Sequence, residues 1–326
     1  MKAQQATTPQ IKDDSGNRAF TAPDHIILAS DLADLDYLIP HAIAQCWTCE
    51  SSLTIAHIIP DKLSGSLDEA VALIADTSAT HSQRTLQEAG EKLSVAAGKI
   101  RSAGINCFTT IRHGQAHIKI QELIREVRAG RVILGTHGRR NVKKFFLGST
   151  AHEILKTVSV PVLTVGPHAR LYAHGEPHRI LHPVSLTSGY QETAQLAVKM
   201  GQFYRAEITL LHVLPAEAQS EYAEERLMQW TNFELGRLIP DEAPLWTTAT
   251  TMVEEGDIVG KILATAEKLE ADLIIMGANS DSSFWPVYGD NTVYNVIAEA
   301  RCPVLTLRHS HRPEESSPAK SSCVLI

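Results

Sequence analysis

Three glycines and two hydroxyls stand in this chain at a spacing that suits a phosphate group. Gly135-Thr136-His137-Gly138 is followed by nine residues (139–147) and then by Gly148-Ser149-Thr150. Glycine lets the backbone come close to a ligand and reach positive φ. The second cluster opens a helical pattern over 151–158. Backbone N–H groups at that helix start, beside the Ser149 and Thr150 hydroxyls, would make an anion site. Arg139, Arg140, Lys143 and Lys144 add positive charge between the clusters. Far upstream, Asp31 ends an apolar run, and a carboxylate there can accept from an exocyclic amine or a sugar hydroxyl. An acid for the base or ribose, with glycines and hydroxyls for the phosphates, is the inventory of a nucleotide site.

Such residues work only if the fold brings them to one edge. Short apolar runs at 26–30, 53–59, 107–112, 132–134 and 162–165 read as strands, with helical patterns between them. Leu35, Leu38, Ile39, Ala42, Ile43 and Cys46 recur at helical spacing, and Pro40 predicts a helix start nearby with the proline in the first turn. Ile120, Leu123, Ile124 and Val127 mark a second helical face. Continuous apolar strands alternating with helices predict a parallel sheet covered on both faces. In such a sheet, ligands bind beyond the carboxyl ends of the strands where strand order reverses. Asp31 and Gly135 share that edge if the first and fourth strands are neighbours.

The whole pattern occurs twice. HIILASDLADLDYLIPHAIAQC and SLTIAHIIP find their counterparts in HRILHPVSLTSGYQETAQLAVKM and EITLLHVLP. RVILGTHGRR and SVPVLTVGP likewise match DLIIMGANSD and RCPVLTLRH. The second set of strands falls at 180–183, 208–214, 247–253, 273–276 and 304–307. Self-similarity of this kind predicts a tandem pair of domains. The expected division is a flexible tail over 1–22, a first domain over 23–166, a linker over 167–177, a second domain over 178–309 and a second flexible tail over 310–326.

Composition narrows the function. The 326 residues carry 30 Lys+Arg against 37 Asp+Glu, a net charge of −7, which disfavours a dedicated nucleic-acid binder because phosphate neutralisation needs a basic field. No apolar run approaches the length of a membrane span, and the polar first residues lack a signal core, so a cytoplasmic protein is expected. The charge is uneven: residues 25–168 hold 15 basic and 13 acidic residues, whereas 178–309 hold 9 and 18. An anionic ligand should prefer the first copy.

The spacing G-x2-G-x9-G-[S/T], closing an α/β unit whose first strand ends in Asp, resembles the universal stress protein family. SLTIAHIIP is similar to that family's second strand and SVPVLTVGP to its last, and the resemblance covers most of 24–309. It implies two tandem five-stranded parallel sheets with helices on both faces, a Rossmann-like α/β fold of the adenine nucleotide alpha-hydrolase type. It also implies ATP as ligand, with Mg2+ as an optional companion. On this basis Asp31 and the backbone at Ile58 would hold adenine. Gly135, Gly138, Gly148 and Ser149 would line ribose and phosphates, with Thr150 adjacent and Arg139 beside them. Ala29 and Ser30 stand near the base where the family often has Pro-Thr. The resemblance further implies pairing through the final strands, within the chain as a pseudo-dimer and then between two chains as a homodimer. An unidentified protein is a further expected partner, and neither nucleic acid nor membrane is.

The second copy departs from the motif. Ser185 replaces the acid, Gly277 is followed by Ala-Asn-Ser280, and only eight residues separate Ser280 from Gly289. Asp290 stands where a hydroxyl would meet phosphate, so no ATP is expected there. Smaller signals read as structural. Cys46-x-x-Cys49 closes a helical pattern instead of opening one and predicts two half-buried thiols. His113 and His117 span a strand-to-helix loop. His57 and His212 occupy equivalent strand positions, which predicts a shared structural role. The reading is therefore a stress-response protein that binds ATP in its first domain and uses the second for dimer geometry or partner binding. A slow ATP hydrolase on the same fold, and a nucleotide-free scaffold binding another ligand through domain two, are the alternatives.

Overall fold

A computed structural model describes residues 22–60, 78–136, 147–172, 175–186, 189–215, 221–241, 247–278 and 290–308. The expected tails lie outside these residues, apart from residue 22. The first copy contains β1 (His25–Ala29), α1 (Leu35–Cys49), β2 (Ser52–Ile59), α2 (Ser78–Ser102), β3 (Cys107–His113), α3 (Ala116–Val127), β4 (Arg131–Gly135), α4 (Ser149–Thr157) and β5 (Val162–Val165). The second contains β6 (Arg179–Pro183), α5 (Tyr190–Tyr204), β7 (Glu207–Leu214), α6 (Glu221–Gly236), β8 (Ala249–Glu255), α7 (Ile258–Lys268), β9 (Leu273–Ala278), α8 (Asp290–Glu299) and β10 (Val304–Arg308).

All ten strands join one sheet in the order β3-β2-β1-β4-β5-β10-β9-β6-β7-β8. Within each copy the neighbours run parallel, and β5 meets β10 antiparallel with Leu163 opposite Leu305. The junction has a pseudo-twofold: the Thr164 hydroxyl donates to the Val304 carbonyl at 3.0 Å, and the Thr306 hydroxyl to the Val162 carbonyl at 3.2 Å. Each strand thereby covers the other's open edge, which an isolated copy would leave exposed.

Strand residues alternate between two apolar layers, as a sheet buried on both faces requires. Ile26, Leu28 and Ile133 pack with α1, α2 and α5, whereas Ile27, Val132 and Leu134 pack with α3, α4, α7 and α8. Both layers run through both copies. His152 of α4 and Tyr294 of α8 meet across the junction, with ring centroids 4.3 Å apart.

The repeat extends to strained backbone. Leu32, Glu50 and Arg128 have φ of 73°, 53° and 52°, and their counterparts Leu186, Arg205 and Glu270 have 54°, 52° and 48°. Left-handed backbone is costly for residues other than glycine, so its recurrence marks loops that the fold itself dictates.

Two sequence expectations need correction. Helix α1 begins at Leu35, so Pro40 sits inside it and not in its first turn. Burial of Leu35 and Leu38 against the sheet outweighs the hydrogen bond that the proline cannot donate. The expected linker contributes to the packing. Tyr172 is 3% exposed, and its hydroxyl accepts from Gln45 of α1 at 3.4 Å. Cys46 and Cys49 are fully buried, and burial pushes the Cys46 thiol up to about 12. No helix among the described residues is long and apolar enough to cross a membrane.

Candidate functional site

Strand β1 lies between β2 and β4, so strand order reverses there and a crevice opens beyond the strand ends. Ala29 is level with Ala56 and with Leu134, which puts Ser30 level with Gly135. Ser30 N donates to the Ala56 carbonyl, and Ile58 lies two residues further along β2. Across the crevice, Thr136 N donates to the Val165 carbonyl and Gly148 N to the Thr136 carbonyl, both at 3.1 Å. That second bond returns the chain to the end of β4 and sets the first turn of α4 beside it. Ala29, Ser30, Asp31, Ile58, Gly135, Gly148, Ser149 and Thr150 therefore all stand along one edge of the sheet. His137, Gly138, Arg139, Arg140, Lys143 and Lys144 lie outside the described residues.

The sites differ in how open they are. Ser149 and Thr150 are exposed, Asp31, Gly135 and Gly148 half-buried, and Ser30 buried. One Asp31 oxygen accepts from Ala33 N at 2.9 Å, which fixes the loop that follows β1. The Ser30 hydroxyl accepts from Leu32 N at 2.9 Å and donates to the Asp34 carboxylate. It is thus committed inward and does not face the crevice alone. His57 Nδ1 bonds the Ser30 carbonyl at 2.9 Å, and His212 Nδ1 bonds the equivalent Val184 carbonyl at 2.6 Å. Pinning this loop is the shared structural role of the two histidines.

Asp34 was not among the expected site residues. It precedes α1, is 5% exposed, and crowds Gly135: a Cβ on that glycine would stand 2.5 Å from Asp34 Oδ2 and 2.6 Å from Tyr37 Oη. Burial raises its carboxyl to about 7; the Ser30 hydrogen bond works against this and the Asp31 charge adds to it. No sequence motif marks Asp34, because its meaning depends on the approach of α1 to β4. In copy two a Cβ on Gly277 would stand 3.1 Å from the Thr193 methyl. The first glycine of the motif therefore makes room for a helix start in both copies.

Copy two retains the pinned loop after its first strand. Ser185 and Gly277 occupy the expected edge, while Asn279, Ser280 and Gly289 lie outside the described residues, as does the Asp290 side chain. Among the described residues no group of three metal-ligating side chains forms, and His113 and His117 stay on β3 and α3.

The universal stress protein family model matches residues 24–166 and again 177–308. The chain belongs to the universal stress protein family. A universal stress protein of Methanocaldococcus jannaschii is 27% identical over 139 residues, covering 40% of this chain and 81% of that protein. A solved universal stress protein from Archaeoglobus fulgidus superposes with TM-score 0.62 at 19% identity, over 88% of this chain and 97% of its own. A putative universal stress protein from Pseudomonas aeruginosa gives 0.57 at 19% identity, over 88% and 94%. These two likenesses confirm the α/β tandem fold with its parallel-dominated sheet.

Proposed function

We propose that this universal stress protein binds one adenine nucleotide, ATP, in its first domain, and that its second domain serves the geometry of the pair or a protein partner. The observation that carries this reading is the bond from Gly148 N to the Thr136 carbonyl. It brings the glycine-hydroxyl helix start back to the strand end that neighbours Asp31. The exposed first turn of α4 then offers N–H groups and the Ser149 and Thr150 hydroxyls to phosphate, and Asp31 stands at the base end, one strand away. Gly138 and Arg139 belong to the same motif. Mg2+ would enter with the triphosphate as its counter-ion.

These contacts hold substrate and transition state alike, so they support affinity more than turnover. The reading is of a binding protein. Titration calorimetry with ATP tests it: one site per chain is expected, lost in Gly148→Val with an unchanged circular dichroism spectrum. Two equivalent sites, or none, would refute it. Phosphate release at saturating ATP and Mg2+ should stay below ~0.1 per second, under the ordinary enzyme range. The homodimer expected of the family is tested by sedimentation of the same sample.

A further inference from the structure

The start of β4 carries a charge that the described protein groups do not neutralise. Arg131 is 1% exposed, where β4 and α1 of copy one meet the linker and α5 of copy two. Its bonds to Gln45, to Cys49 Sγ and to the Tyr204 hydroxyl all leave from Nη1. Nε is buried and has no hydrogen-bond partner among the described residues. Taking a guanidinium out of water is costly unless an opposite charge comes with it. Among the described residues, none of the groups around Arg131 supplies one. Burial pushes up the thiols of Cys46 and Cys49 and the phenols of Tyr172 and Tyr204, so all four stay protonated at neutral pH. The Asp272 carboxylate, within electrostatic reach of Tyr172, accepts from the backbone N–H groups of His178 and Arg179, both at 2.9 Å.

The hydrogen bonds are as unbalanced as the charge. The Gln45 amide joins two groups: its oxygen accepts from Arg131 and its nitrogen donates to the Tyr172 hydroxyl at 3.4 Å. That hydroxyl keeps its own proton to give, with no acceptor among the described residues. Nε–H and the Tyr172 O–H are thus two buried donors beside a full positive charge, and buried donors are satisfied in native proteins. Water would serve the donors and leave the charge; an anion serves both. We infer that the seam between the two copies binds a small monovalent anion of halide size, held by the Arg131 guanidinium and the Tyr172 hydroxyl. A single charge matches the single guanidinium, whereas a phosphate would bring excess charge and more oxygens than the free donors can serve. Copy two has Leu273 at the position of Arg131, so one ion per chain is expected. The ion closes a seam shared by copy one, the linker and copy two, which makes the stability of the pair depend on halide concentration. This inference is independent of the nucleotide reading.

The experiment is thermal unfolding of the full chain in sodium gluconate, with chloride replacing gluconate at constant ionic strength so that general screening is unchanged. The parent should gain about 2–4 °C and then saturate, as a ligand of the folded state requires. Arg131→Leu should show no gain. Tyr172→Phe, which loses a single hydroxyl, should need more chloride to reach half of its gain, and it carries the comparison where Arg131→Leu does not fold. Crystals of the parent grown in bromide should show one anomalous peak per chain, beside Arg131 Nε. A parent indifferent to chloride, parallel gains in the parent and both variants, or water alone beside Arg131 Nε in the bromide crystals would overturn the inference.

Discussion

The two copies are one backbone with two sets of side chains, and the contrast separates what the fold needs from what a ligand needs. Both keep a left-handed leucine after the first strand, a histidine that pins that loop, and a glycine beneath a helix start. Copy two keeps all three although its sequence has Ser185 for the acid and lacks the second glycine, so they belong to the fold. What remains particular to copy one is Asp31, Asp34 and the glycine-hydroxyl start of α4. A second asymmetry lies at the other end of the strands. Arg131 opens β4 where Leu273 opens β9, and the arginine is 1% exposed. Its Nη1 donates to Gln45, to the Tyr204 hydroxyl of copy two at 3.3 Å, and reaches Cys49 Sγ at 3.8 Å. Burial works against its charge, and the hydrogen bonds to Gln45 and Tyr204 offset that cost. Its partners among the described residues include no carboxylate, so the two copies share a buried cation held by neutral groups.

The largest expected effect comes from breaking that asymmetry. Arg131→Ala removes a large side chain from a closed site and leaves Gln45 and Tyr204 without their donor. Cavity and orphaned polar groups together should cost about 3–5 kcal/mol of stability by urea unfolding. Arg131→Leu, which copies the Leu273 solution, refills the volume and should cost only about 1–3 kcal/mol, from the two orphaned groups. Equal costs for the two variants would mean that volume is irrelevant here and that charge alone matters.

Asp34 gives the next effect, through pH. Its carboxyl binds a proton more tightly folded than unfolded, so the folded state holds more protons between about pH 4 and pH 7. Stability from this group is present at low pH and lost as pH rises through about 7. A tenfold change in proton affinity is about 1.4 kcal/mol, so the loss amounts to roughly 2–4 kcal/mol. Asp34→Asn should flatten this part of the profile and be the more stable protein at pH 8. Parallel profiles from pH 5 to pH 8 would show that Asp34 titrates as an ordinary carboxylate.

Much of this architecture was legible because strands buried on both faces leave continuous apolar runs, and because the runs came twice. That β5 and β10 pair with each other was implied by the family resemblance and not by the runs themselves. Arg131 was not legible: an arginine at a strand start reads as solvated, and only the arrival of α5 and the linker buries it. Pro40 misled in the opposite direction, since local propensity places it in a first turn and tertiary burial of Leu35 overrides that. Asp34 carries no motif; three residues after Asp31 on a loop, it gained meaning only when Gly135 was found beneath it.

The copies should also differ in ligand response. Asp31→Ala is expected to weaken ATP about 10- to 150-fold, the worth of a hydrogen bond to a charged group (about 1.5–3 kcal/mol), and inorganic triphosphate much less. Ser185→Ala, at the equivalent position of copy two, should leave ATP affinity unchanged. Competitive displacement of a fluorescent nucleotide reads both variants at once. Equal weakening of ATP and triphosphate by Asp31→Ala would put the acid at the phosphate end and not at the base.

The smallest effect concerns the place where the copies are the same. Thr164 and Thr306 sit on either side of the β5–β10 axis, 1% and 2% exposed, each donating its hydroxyl to the carbonyl of the opposite strand. Valine keeps the shape of threonine and removes the donor, so each substitution deletes one buried hydrogen bond and leaves one carbonyl with fewer partners. That is worth about 0.5–1.5 kcal/mol. Because the environments are related by the pseudo-twofold, Thr164→Val and Thr306→Val should shift the urea midpoint by the same amount. The double variant should depart from the sum of the two, since both carbonyls lie within the same three-residue ladder and neighbouring sites couple. Unequal single costs would show that the junction leans on one copy more than the other, despite the matched bonds.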